Sequence, residues 1–194
     1  MHTNSIPPVI AIAAVSGGGK TTITRRLMEK LPHAAALYFD DYTFEDCPED
    51  ICEWVENGAN YEEWKLAPLA RDLQSMLQSQ PPPSFVFLDY PFAYLNSALR
   101  GYIDLSIFID TPLDIALARR ILRDFSDGSI DEVREDITGY LQDGRMAYAE
   151  MLSAVKPNSD LIIDGSLPVD HIVERILDEV EARFKVRVRN DEER

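Results

Sequence analysis

The stretch VIAIAAVSGGGKTT, residues 9–22, constrains this chain more than any other. Val9 to Val15 is a short, continuous apolar run, entered through Pro7-Pro8 and left through glycine, which predicts a buried strand. From Lys20 onward the period changes. Ile23, Leu27 and Leu31 fall four apart on one helical face, and Pro32 closes the segment. Between the two lie Ser16, Gly17, Gly18 and Gly19. A glycine run alone reads as a turn; held between a strand and a helix start, and ending in Gly-Lys-Thr, it reads as an anion cradle. Glycine tolerates the angles that turn successive backbone N–H groups inward, and the helix points its positive end at whatever lies there. Lys20 then reaches the outer phosphates of a nucleotide and the Thr21 hydroxyl can hold Mg²⁺, with Thr22 beside them. The strict pattern is GxxxxGK[ST]; Ala14 stands at its first glycine, a departure of one methyl group.

Further along, short apolar runs alternate with amphipathic stretches. Residues 36–40 (ALYFD), 85–89 (FVFLD), 105–110 (LSIFID) and 161–164 (LIID) read as strands. Residues 62–80 read as a helix with Pro68 marking its true first turn, and Pro112 to about Asp124 as another. Ser129 and Glu132 match a capping box ahead of a long helix. In the last helix Val169, Ile172, Val173, Ile176, Leu177 and Val180 form a core-facing stripe. The tail, RVRNDEER, reads as frayed. The alternation predicts an α/β fold: a three-layer P-loop NTPase architecture, with a five-stranded parallel sheet, helices on both faces and a small helical lid. Residues 1–194 are expected to form one such domain, with an acceptor-binding insertion at 41–80 and a lid region at 119–156.

A net charge of −15 argues against nucleic acid or an anionic membrane as partner, while an anionic ligand remains possible where the local field is positive. Cys47 and Cys52 lack the spacing of a zinc or redox pair and are expected to be free thiols. The N-terminus has no basic n-region, its apolar run is too short for a signal core, and no segment approaches a membrane span. The expected location is the cytoplasm.

Parallel strands gather their C-terminal ends on the edge that carries the phosphate loop. Asp40 and Asp41, which end the second strand, would face bound phosphates and could take a proton from an attacking hydroxyl or hold Mg²⁺. Asp89 ends the third strand, where a metal-associated carboxylate belongs. Arg119 and Arg123 share a helix face with Arg120 beside them. They suit a set of cations closing on phosphates, or equally a solvated face paired with Asp114, Asp124 and Asp127.

Four ordered segments resemble the uridine kinase-like group of P-loop kinases, which also holds nicotinamide riboside kinases, phosphoribulokinases and one type of pantothenate kinase. AVSGGGKTT resembles its GxSGSGKST loop, including Ser16. FDDYTF resembles its DSFY or DDFF motif. DLSIFIDTPLDIALARRILRD resembles the segment leading into its lid, and KPNSDLIIDG the segment before its last helix. The resemblance implies a kinase that uses ATP and Mg²⁺, with Lys20 and Thr21 on the nucleotide and metal. It implies Asp40 as base, with Asp41 close behind because the doubled aspartate leaves the register open. Arg120 and Arg123 become lid arginines, Asp89 takes the place of the glutamate of an EG pair, and Gly165 to Pro168 lie near the adenine.

Two departures fall on the acceptor side. ANYEEWKLAPL keeps Asn60, Tyr61, Trp64 and a Pro-Leu of the family's HPxAFD-like segment but lacks the aspartate that would hold a ribose, and SDGS replaces ERGR in the lid. No lysine or arginine occurs between Lys30 and Lys65, whereas that interval holds ten carboxylates. Such a rim disfavours a phosphorylated acceptor and suits a neutral or cationic hydroxyl compound. Asp41, Tyr42, Tyr61, Trp64 and Tyr90 are candidate acceptor contacts, although several of the aromatics are equally expected in the core. The expectation is therefore ATP-dependent phosphorylation of a small, nucleoside-like alcohol by a monomer or homo-oligomer. The alternatives are a kinase for a non-nucleoside metabolite or a non-catalytic nucleotide-binding module.

Overall fold

The computed structural model describes residues 6–186; the RVRNDEER tail lies outside them. Five parallel strands, β1 (Val9–Ala13), β2 (Ala35–Tyr38), β3 (Val86–Asp89), β4 (Leu105–Asp110) and β5 (Leu161–Asp164), form one sheet in the order β2-β3-β1-β4-β5. β1 is central and wholly buried, as its unbroken apolar run requires. Its side chains alternate between two cores. Val9, Ala11 and Ala13 face one; Ile10 and Ile12 face the other.

On the Ile10/Ile12 face, α1 (Lys20–Lys30) contributes Ile23 and Leu27, and α8 (Val169–Phe184) contributes Ile172, Val173, Ile176, Leu177 and Val180. Val169 does not join that stripe: it is 38% exposed, because it occupies the first turn, where α8 leaves the sheet edge. On the opposite face lie α3 (Ala67–Leu77), α4 (Ser97–Arg100), Ala116 of α5 (Leu113–Asp124) and a cluster of aromatic rings.

Strand β2 stops at Tyr38, two residues short of the run 36–40, and Phe39–Asp41 turn into one 3₁₀ step. The acidic interval 41–63 contains α2 (Ile51–Glu56), capped by Asp50, whose carboxylate accepts from the Cys52 and Glu53 N–H groups. The helix read over 62–80 divides into a 3₁₀ turn (Tyr61–Glu63) and α3, with Pro68 in the first turn of α3 where its missing N–H costs nothing. The Ser129–Glu132 capping box is present and starts α6 (Ile130–Gly139). The helix behind it continues through π-helical turns at Tyr140–Gly144 and Met151–Val155, which flank α7 (Arg145–Glu150). Both cysteines are free. Among the described residues no helix is long and apolar enough to cross a membrane.

Candidate active site

Register puts the site together. Ile12 of β1 and Tyr38 of β2 both pair with Asp89 of β3, so the C-terminal ends of three strands share one row. The loop leaving β1 turns at Gly18, whose N–H donates to Val15 O at 2.8 Å, and α1 begins at Lys20. Gly17 has φ +76°, and a Cβ there would lie 2.1 Å from the Ala116 carbonyl oxygen, so only glycine fits. Gly18 answers the Ala14 departure. A Cβ on Gly18 would come within 2.8 Å of the Ala14 methyl, so the methyl gained at one position is accommodated by a side chain forgone at the other.

A cavity of about 980 Å³ opens over this loop. Ser16, Gly17, Gly18, Gly19, Lys20, Thr21, Thr22, Asp40, Asp41, Asp89, Arg119 and Arg123 all line it. Gly165 and Leu167 close another side, with Val169 and Ile172 as apolar wall.

At its centre Lys20 bridges two carboxylates. Its Nζ lies 3.1 Å from Asp40 Oδ2 and 2.7 Å from Asp89 Oδ1. The two partners differ. Asp40 sits on the 3₁₀ turn with its side chain 73% exposed, whereas the Asp89 side chain is 2% exposed. The Asp89 Oδ1 that Lys20 meets is buried, and the ammonium is its close counter-charge. Asp40, Asp89 and the Thr21 hydroxyl line one cavity and are hard oxygen donors of the kind that fit a hydrated cation. Among the described residues no group of three or more His, Cys, Asp or Glu could hold a metal by itself, so oxygens of a bound nucleotide would have to complete its shell.

The three arginines part company. Arg119 donates to the Gly165 carbonyl at 3.3 Å, and Arg123 forks onto Asp124 at 2.6 and 3.0 Å. Arg120 lies outside the cavity lining and forks onto Asp136 of α6, at 2.9 and 2.5 Å. That hydrogen-bonded carboxylate raises the Arg120 pKa further above its already high value. Beside it Tyr148 of α7 is buried against the loop; desolvation raises its pKa, while the nearby Arg120 charge and the Ser16 hydroxyl oppose the rise.

Tyr61 and Trp64 line a second, apolar cavity of about 160 Å³ that adjoins the first. Phe39, Pro91 and Met151 border both. Tyr42 and Tyr90 line neither. Tyr42 stacks on Phe44 and donates to Asp72 at 2.9 Å, and the Tyr90 ring is fully buried behind Phe39 and Phe92.

Two residues that sequence reasoning missed hold these parts in place. The buried Thr111 hydroxyl donates to the Gly18 carbonyl at 2.8 Å, and a Cβ on Gly165 would strike that hydroxyl at 1.9 Å. Thr111 thus joins the phosphate loop to the loop after β5; its place directly after a strand was its one visible signal. Asn96, also buried, donates to the carbonyls of Tyr61 at 2.7 Å and Trp64 at 3.0 Å, while its Oδ1 accepts from Ala98 N at 3.0 Å. Nothing in the sequence links Asn96 to residues 61–64, because the contact spans more than thirty positions.

A glycine cradle at the end of a central parallel strand, with a lysine at the next helix start and carboxylates on the neighbouring strand ends, defines a P-loop nucleotide-binding fold. The model of the phosphoribulokinase / uridine kinase family matches residues 59–172, more than half of the chain, and the chain belongs to that family. It is 29% identical to a uridine kinase of Borrelia hermsii, over 80% of this chain and 85% of that protein. It is 28% identical to one of Staphylococcus aureus, over 80% and 86%. A gluconokinase from Sinorhizobium meliloti shares the fold, with a TM-score of 0.53 at 14% identity over 93% of this chain and 95% of that one. The family and these relatives make the chain a phosphotransferase of the kinase type.

Proposed function

We propose that the chain transfers the γ-phosphate of ATP to a hydroxyl of a small, nucleoside-like acceptor, as one domain whose lid is the helical region 119–156. The observation that carries this reading is Lys20 held between an exposed carboxylate, Asp40, and a buried one, Asp89, at the floor of the phosphate cavity. On this reading the amides of Ser16 to Gly19 cradle the triphosphate, and Lys20 swings between its resting carboxylates and the outer phosphates. Asp40, exposed and at the cavity's open side, accepts the proton of the attacking hydroxyl. The hydroxyl oxygen forms a bond to the γ-phosphorus, the bond to the bridging oxygen breaks, and ADP leaves. Thr21, Asp89 and Asp40 are the residues that would hold Mg²⁺, which neutralises charge on the phosphate oxygens when bound. Arg119 and Arg123, already in the cavity wall, offset the charge that spreads over the transferring group. Arg120 acts from outside the wall by pinning α6 through Asp136.

Asp40 is favoured over Asp41 as base because only Asp40 reaches Lys20. The test is ATP consumption by the purified protein across a panel of nucleosides, vitamins, amino alcohols and sugars. Consumption that appears only when one hydroxyl compound is added supports the reading. ATP use that is indifferent to every acceptor, or binding of ATP with no turnover at all, overturns it.

A further inference from the structure

The phosphate loop is set from behind as well as by its own glycines. Thr111 directly follows β4, is 2% exposed and does not line the phosphate cavity; it lies beneath the loop. Its hydroxyl carries one hydrogen, and that hydrogen goes to the Gly18 carbonyl oxygen at 2.8 Å. The consequence falls on the next N–H group. In a planar trans peptide the C=O and N–H bonds point in opposite directions. A Gly18 carbonyl turned down onto Thr111 therefore turns the Gly19 N–H up, toward the cavity that both glycines line. With no side chain on either residue, the Gly18–Gly19 peptide has little stiffness of its own, and this bond holds its plane.

The anchor is itself stiff. Thr111 is β-branched, which restricts χ1. Its N–H donates to the Ile109 carbonyl at 3.1 Å, and Pro112 follows with its φ fixed by the ring. A second loop bears on the same oxygen. The Gly165 N–H donates to the Asp110 carbonyl at 3.0 Å, so the backbone after β5 passes close over Thr111. A Cβ on Gly165 would stand 1.9 Å from the Thr111 hydroxyl oxygen. One buried hydroxyl is thus held between two loops that line the cavity, Gly18 on one side and Gly165 on the other.

We propose that Thr111 is a positioning residue for the bound phosphates: its hydroxyl aims the Gly19 N–H at them, and the bare Gly165 backbone keeps that hydroxyl on Gly18. This rests on the nucleotide-binding half of the proposed function and not on phosphoryl transfer.

The probe is inorganic tripolyphosphate, titrated calorimetrically with no acceptor present. Thr111→Val keeps the shape and removes the donor, so the dissociation constant should rise about tenfold, as for one misaimed bond to a charged group. Thr111→Ser keeps the donor and should stay within about twofold of the parent. Gly165→Ala should weaken tripolyphosphate about tenfold by driving the hydroxyl off Gly18, yet add no more than about twofold to Thr111→Val, because both act through one bond. A lower melting temperature in Thr111→Val with an unchanged dissociation constant would make the threonine merely structural and overturn the proposal. Equal losses in Thr111→Ser and Thr111→Val would overturn it as well. On the unmodified protein, the Gly19 amide proton resonance should move downfield as tripolyphosphate is added; if it stays still while the rest of the loop responds, the proposal fails whatever becomes of the variants. A parent that binds neither tripolyphosphate nor ATP removes the nucleotide-binding reading and this proposal together. One that binds both but phosphorylates no acceptor removes only the kinase reading, and the ranking of the variants still decides the role of Thr111.

Discussion

Ten consecutive residues, Ala14 to Ile23, form one continuous wall of the phosphate cavity, whereas the smaller apolar cavity has no such run and takes its walls from short stretches between Phe39 and Met151. The loop within that wall is built of backbone: its working groups are N–H vectors, with side chains forgone at Gly17, Gly18 and Gly19. The second is built wholly of side chains, assembled only when β2, α2, the turn at 61–63, the loop after β3 and α7 have packed together. One follows from local chain geometry and the other from tertiary structure. Substitutions should therefore separate nucleotide handling from acceptor handling.

The largest effect belongs to Lys20. Lys20→Met keeps the stem and removes the charge, so turnover should fall about 10³-fold. It also leaves Asp89 buried without its counter-charge, which should cost about 3–5 kcal/mol of stability. Adding Asp89→Asn should restore most of the melting temperature and none of the turnover. A single variant as stable as the parent would mean that the ion pair contributes nothing to the fold.

Asp40 directly follows Phe39, which borders both cavities, and its effect should be smaller. Phosphoryl transfer passes through a loose transition state in which the attacking hydroxyl has lost little of its proton, so a base contributes less than the charge clamp. Asp40→Asn should lower kcat about 10²-fold with nucleotide affinity little changed. Asp41→Asn, lacking the Lys20 contact, should stay within about threefold of the parent on the same reasoning. Steady-state kinetics on both variants would settle the register of the doubled aspartate.

The same contrast explains what could be read in advance. The strand runs at 105–110 and 161–164, the phosphate loop, the start of α1 and the capping box at Ser129 are local signals, and the structure keeps each of them at its place in the sequence. Misreadings arose where packing overrides local preference. Tyr38 ends β2 early because the edge strand finishes level with Asp89, its partner, and the chain then turns to bring Asp40 to Lys20. Val169 has the periodicity of the α8 core stripe but, as the first residue of the helix, lines the phosphate cavity instead of entering the core. Arg120 and Arg123 are indistinguishable by spacing, and only the position of Asp136 on another helix separates them. Of the smaller cavity, Tyr61 and Trp64 were legible in ANYEEWKLAPL, whereas Phe39, Trp54 and Phe92 join them only through tertiary packing.

The glycines of the cradle offer a finer test on the nucleotide side. Gly17 needs both a positive φ and an absent side chain, whereas Gly19, at φ +101°, has nothing within 4 Å of where a Cβ would stand. Gly17→Ala should therefore pay for a left-handed alanine and for displacing the Ala116 carbonyl, together at least about 3 kcal/mol, or a hundredfold in ATP affinity. Gly19→Ala should show the backbone term alone, about 1–2 kcal/mol and nearer tenfold. Calorimetric titration with a non-hydrolysable ATP analogue would check the ranking; equal losses would mean that the Ala116 contact yields freely.

Asn96 supplies the matching test on the smaller cavity. Its amide N–H groups hold the Tyr61 and Trp64 carbonyls, so a buried side chain ties down the turn that carries two walls of the smaller cavity, beside the bonds of Glu62 to Ser97. Asn96→Ala removes both bonds and leaves those carbonyls to find water in a site that is nearly closed, at a cost of about 2–3 kcal/mol in stability. The phosphate loop shares none of these contacts. Acceptor KM should rise roughly tenfold as the walls loosen, by about the free energy of one lost positioning bond, while the ATP dissociation constant stays within about twofold, as expected for sites with no common partner. A variant in which both constants rise together would show that α4 and the turn at 61–63 steady the whole site. The division between a backbone-built phosphate loop and a side-chain-built smaller cavity would then fail as an energetic description, even though it holds as a geometric one.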